Sequence, residues 1–287
     1  ARSGWLPPGP SWLGPGPDAA PTVVFLHEGL GSAALWRDLP DRVAAATGCG
    51  VLQYSRHGYG GSTRKPHPWH HSYLHDEAEY WLPRVVDELG IRRAVLVGHS
   101  DGGSISAIAA GLGSVRQLAG VALLAPHVLA EPVTLSGVRG AIEAFEKARL
   151  RDHLRRYHGE NTDDVFWGWA LAWEQLCADG WDVRPMLENI RVPVLVVQGD
   201  DDEYGSAEQY QSIQTRVPGG AEVRVLPQCR HLLYRDRPAE VTEAVSRFVL
   251  HAFGGAGLWL QGDALAQQKA DHLEVAADHV EGDQLRA

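Results

Sequence analysis

Short apolar runs recur along the chain at Thr22 to Leu26, Val51 to Tyr54, Ala94 to Val97, Val121 to Leu124, Val194 to Gln198 and Glu222 to Leu226. Most lack the alternation of a strand with one wet face, so they read as strands buried on both sides. Segments of helical period lie between them. In "SYLHDEAEYWLPRVVDELG", Leu74, Ala78, Leu82, Val85 and Leu89 share one side, and Pro83 is expected to bend or interrupt the helix. Strands alternating with helices specify an α/β protein with a mostly parallel sheet flanked by helices, and such sheets hold ligands at the carboxyl ends of their strands. The chain of 287 residues is long enough for a sizeable core.

The alternation breaks between His127 and Asn189, where no strand pattern is found and Phe145, Phe166, Trp167, Trp169, Trp173 and Trp181 cluster. This stretch reads as a helical insertion between two sheet strands. The expected organisation is a core of residues 1–127 and 190–252, an inserted helical cap at 128–189 and a helical tail at 253–287. The tail fits a docking helix, an oligomer contact or an engineered end. The Gly- and Pro-rich residues 1–21 are expected to be irregular, with at most a short edge strand.

A net charge of −10 argues against nucleic acid as a partner, since phosphate backbones are met by concentrated Lys and Arg. No apolar run approaches the roughly 20 residues that span a bilayer, so no membrane partner is expected. Cys49, Cys177 and Cys229 are odd in number and far apart, which suggests neither a disulfide framework nor a zinc site. The same cysteine usage fits a reducing cytoplasm, and the opening "ARSGWLPPGP", without Met and without the basic-then-apolar order of a signal peptide, is expected to be trimmed or to begin internally.

Chemistry concentrates where these strands end. In "VLVGHSDGG" Ser100 sits in G-x-S-x-G after a buried strand and before the small-residue helix "GSISAIAAG". A serine hydroxyl needs a base to take its proton, and a carboxylate should orient that base. Downstream, "VLVVQGDDDEYG" offers Asp200, Asp201 and Asp202, and "LPQCRHLLYRDRPAEV" offers His231 before a helix with Asp236 as its cap and Pro238 in its first turn. Upstream, "VVFLHEGLGS" ends a strand in a glycine-rich loop, so the backbone N–H groups of Gly29 and Asp101 are expected to form an oxyanion hole. The Asp101 carboxylate is accounted for by the helix dipole, without a role in the chemistry.

Taken in order, "HEGLGS", "YSRHGYGGS", "GHSDGG", "QGDDDEYG" and "CRHLLYRDRPAEV" make the chain resemble an α/β-hydrolase fold enzyme over roughly residues 22–252. The resemblance implies a cofactor-free, metal-free serine hydrolase with Ser100 as nucleophile, His231 as base and Asp202, three residues after Gly199, as the orienting acid. The chain departs from the family pattern in two places: His27-Glu28-Gly29 stands where many relatives have His-Gly, and the amino end is short. The aromatic insertion, with Trp167, Trp169 and Trp173 as candidate substrate contacts, suggests a small, partly apolar ester or lactone. Carbon–carbon hydrolysis of a dienoic ketone acid, thioester hydrolysis or acyl transfer, and a non-enzymatic ligand receptor are the alternatives. Lys147, Arg151 and Arg155 along one helix face read as a solvated face, or as an anchor for a substrate carboxylate. His67, His70, His71 and His75 read as a solvated or substrate-rim cluster rather than a metal site.

Overall fold

The computed structural model describes residues 11–147 and 149–254. The expected tail falls almost wholly outside the described residues. Strands β1 (Ser11–Leu13), β2 (Thr22–Leu26), β3 (Gly50–Gln53), β4 (Ala94–His99), β5 (Leu118–Leu124), β6 (Val194–Gly199) and β7 (Glu222–Leu226) form one sheet in the order β1-β3-β2-β4-β5-β6-β7. All neighbours are parallel except β1, which runs antiparallel to β3 as a three-residue edge strand.

The unbroken apolar runs follow from two separate cores. Val23, Phe25, Val51, Val95, Val97, Leu195 and Val197 pack on one face with α1 (Leu39–Thr47) and the late helix Pro238–Ala252. Val24, Leu26, Leu52, Leu96, Leu123 and Val196 pack on the other. Successive residues of a strand point to opposite faces, so a sheet covered on both sides demands apolar residues at every position.

The helical segment read between residues 72 and 90 is divided. Helix α2 (Tyr73–Asp76) passes through a π-helical turn, Glu77–Trp81, into α3 (Leu82–Glu88). Pro83 lies in the first turn of α3, where the missing N–H and the bulk of its ring are accommodated by the widened turn before it. Helix α4 (Asp101–Leu112) follows β4 and is buried from Asp101 to Ala110.

Between β5 and β6 lie α5 (Pro132–Glu146), α6 (Arg149–His158), α7 (Thr162–Asp179) and α8 (Arg184–Leu187). Helices α9 (Ala207–Arg216), α10 (Leu233–Asp236) and α11 (Pro238–Ala252) complete the described fold. Arg237, not Asp236, stands at the start of α11, and Asp236 instead accepts from the Arg230 N–H at 3.1 Å.

Candidate active site

The carboxyl ends of the parallel strands supply every group of the site. Strand β4 runs directly into Ser100, whose backbone is left-handed at φ 52° and ψ −116°, and α4 begins at the next residue. A non-glycine residue held there is strained, and the turn persists because its surroundings enforce it. Glycine makes room for it: a Cβ on Gly98 would lie 2.1 Å from the Gly102 carbonyl oxygen, and one on Gly102 would lie 1.9 Å from that of Leu26.

Ser100 Oγ lies 2.9 Å from His231 Nε2, and His231 Nδ1 lies 2.9 Å from both carboxylate oxygens of Asp202. Of the three adjacent aspartates, only Asp202 meets the imidazole. Asp200 and Asp201 are exposed, and Asp200 accepts from the Cys229 N–H at 3.3 Å. The Asp202 carboxylate also accepts from Gln198 Nε2 at 2.6 Å and from the Tyr204 N–H at 2.8 Å. Burial works to raise its pKa, but His231, the Tyr204 N–H and His127 outweigh burial and hold it at about 2. His231 is buried too, which lowers its pKa; Asp202, with Glu203 and Glu28, more than reverses that and leaves it above the usual imidazole value.

Gly29 N–H and Asp101 N–H, the expected oxyanion donors, belong to the loop after β2 and the first turn of α4, which meet here. A Cβ on Gly29 would lie 2.1 Å from Trp169 Nε1 and 3.1 Å from Asp101 Oδ1, so only glycine lets the indole close over the loop. The Asp101 carboxylate departs from the expectation. It is buried and accepts from Tyr73 Oη at 2.6 Å and Trp173 Nε1 at 3.0 Å, with Arg56 Nη2 at 3.6 Å. The helix dipole alone is therefore an incomplete account of this side chain. Asp101 is the acceptor at the centre of a buried network.

Glu28 carries a carboxylate into the same region. Burial opposes its ionisation, but His99, whose Nδ1 is 3.5 Å from Oε2, holds its pKa at about 2. The other nitrogen of His99 donates to the His231 carbonyl at 2.8 Å. His127, after β5, was not singled out by its sequence. Its Nε2 donates to the Tyr204 carbonyl at 3.2 Å, and burial followed by the nearby His231 lowers its pKa.

Above Ser100 opens a cavity of about 230 Å³. Its walls include Leu35, Val138, Leu150, Leu154, Trp169 and Trp173, and its acidic groups are Glu28 and Glu203. Among the described residues, no Arg or Lys lines it. Trp167 stands apart from this wall and packs edge-on against Phe145 and Phe166, because residues two apart on α7 face nearly opposite ways. Lys147 and Arg151 pair with Glu143 and Asp163 at exposed positions. His67 pairs with Asp164 at 2.8 Å, while the rings of His70 and His71 lie against each other.

Alpha/beta hydrolases as a family match residues 23–244. The chain belongs to the alpha/beta hydrolase family. Among this hydrolase's relatives is the sn-1-specific diacylglycerol lipase ABHD11 of Danio rerio, 23% identical over 81% of this chain and 79% of that one. The 2-hydroxy-6-oxo-6-phenylhexa-2,4-dienoate hydrolase of Burkholderia cepacia is 24% identical over 73% of this chain and 80% of its own. An esterase from Exiguobacterium antarcticum shares the hydrolase fold with a TM-score of 0.67 at 18% identity, covering 84% of this chain and 94% of that one. No described helix of this hydrolase is long and apolar enough to cross a membrane.

Proposed function

We propose that the protein is a serine hydrolase acting on uncharged carboxylic esters or lactones with a partly apolar acyl or alcohol group. The continuous contact from Ser100 Oγ through His231 to Asp202, 2.9 Å at each step, carries this reading. Ser100 Oγ attacks the carbonyl carbon while His231 Nε2 takes its proton. The resulting oxyanion receives the N–H groups of Gly29 and Asp101. Collapse expels the alcohol, which leaves with the proton held by His231. Water, deprotonated by the same imidazole, then cleaves the acyl-enzyme and regenerates the Ser100 hydroxyl.

The cavity supports an ester over a dienoic ketone acid. A substrate carboxylate would meet Glu28 and Glu203 with no Arg or Lys among the described residues of the wall to offset them. Arg151, which could have anchored it, is instead paired with Asp163 outside the cavity. The test is hydrolysis of a p-nitrophenyl ester series by the wild type and Ser100→Ala, with an acid-bearing analogue in parallel. The reading requires turnover abolished by Ser100→Ala and a higher KM for the acid. Turnover that survives Ser100→Ala overturns it.

A further inference from the structure

We infer that Arg56 is a positioning residue that sets both oxyanion donors at once; the inference rests on the serine-hydrolase reading above. Arg56 follows β3 and is fully buried, yet it lies outside the cavity wall. Its Nη2 donates to the Glu28 carbonyl at 3.1 Å. Its backbone N–H donates to His27 Nε2 at 3.0 Å, which leaves the proton of the neutral ring on His27 Nδ1. That Nδ1–H donates to the same Glu28 carbonyl at 2.8 Å.

The Glu28 carbonyl and the Gly29 N–H are opposite ends of one planar peptide group, so fixing the first aims the second. With the Gly31 N–H at 3.1 Å, three donors meet the carbonyl, and Arg56, the one cation among them, adds most to polarising the peptide and strengthening its N–H as a donor. The same guanidinium stands 3.6 Å from Asp101 Oδ2. Asp101 supplies the other oxyanion N–H, and its carboxylate is held besides by Tyr73 and Trp173. One side chain thus spans the oxyanion loop and the turn after Ser100.

Stability alone is a poor account of this arrangement. A buried ion pair often contributes less than apolar residues of the same volume, and here Arg56 Nε and Nη1 have no hydrogen-bond partner. The guanidinium also lies over the Tyr59 ring, 4.4 Å from its centroid, which restricts its orientation. What the burial secures is a fixed distance relation between two backbone N–H groups on different segments.

The experiment compares wild type with Arg56→Lys and with Arg56→Met/Asp101→Asn, the second removing both charges so that none is left buried alone. Each is assayed for kcat and KM on a p-nitrophenyl ester. Each is also tested for inhibition by a trifluoromethyl ketone, which forms an oxyanion on Ser100, and by the matching secondary alcohol, which does not. The expected result is a fall in kcat of about tenfold or more. Affinity for the ketone falls in parallel, while KM and alcohol affinity stay within about twofold. Cooperatively unfolding variants that keep wild-type kcat and ketone affinity overturn the inference, as does an equal loss of affinity for ketone and alcohol. A wild type that ignores the ketone and survives Ser100→Ala instead removes the serine-hydrolase reading itself.

Discussion

The indole Nε1 of Trp173 donates to Asp101 Oδ1 at 3.0 Å, tying α7 of the insertion to the residue after Ser100. Both side chains are buried. Trp173→Phe keeps an aromatic wall on the cavity and removes the donor. A hydrogen bond to a buried charged acceptor is worth about 1.5–3 kcal/mol, and a loss of that size is expected in urea unfolding. A change below about 0.5 kcal/mol contradicts a charged acceptor at this position.

Glu203 sets part of the pH dependence. Its Oε2 accepts from the His231 N–H at 3.1 Å, and its charge adds to that of Asp202 in raising the imidazole pKa. The base works when neutral, so activity falls as pH drops through that raised value. Glu203→Gln keeps the shape and removes the charge. The acid limb of the kcat/KM profile is expected to move to lower pH, and an unmoved limb excludes the electrostatic role.

Gly102 is fixed by backbone contact. With a Cβ 1.9 Å from the Leu26 oxygen, Gly102→Ala has no side chain to push aside. It is expected to lose more than about 3 kcal/mol of stability together with ester turnover. Gly61→Ala, with open space around its Cβ, is the matched control and should stay within about 0.5 kcal/mol.

Glu77 gives the fold an alkaline liability. Burial raises its carboxyl to about 7, against the attraction of Arg56 and Lys65, and Oε2 has no hydrogen-bond partner. A carboxyl raised in the folded state favours folding below its unfolded value near 4.5, and that contribution is lost as pH rises through about 7. Between pH 5 and 8, Glu77→Gln is therefore expected to gain on the order of 3 kcal/mol relative to wild type. Parallel stability curves for the two proteins would show Glu77 ionised throughout.

Strand β2 was legible to its last residue because both faces of Thr22–Leu26 are covered, leaving a continuous apolar run with loop residues at each end. Strand β1 could be expected as a short edge strand within residues 1–21 but not placed there, since Ser11–Leu13 is half-buried and sits among glycines and prolines. Ser100, His231 and Asp202 could be placed because each immediately follows a strand or its turn. The Arg56–Asp101 pair could not, because its partners are far apart in sequence and charge alone does not report burial. One signal was present: "DGGSISAIAAG" has no polar face, so a helix made of it buries its first residue too. Trp167 shares its tryptophan-rich stretch with Trp169 and Trp173 but lies off the cavity wall, because the helical period turns it to another side of α7.

His99 adds a mechanical consequence to the geometry of the site. One nitrogen holds the His231 carbonyl and the other approaches Glu28, so the chain segment just before Ser100 is braced against the loops on both sides. The walls over Ser100 come from α5 and α7 instead, through Val138, Trp169 and Trp173, so a crosslink between those two helices is expected to change KM while leaving the Ser100–His231–Asp202 geometry intact.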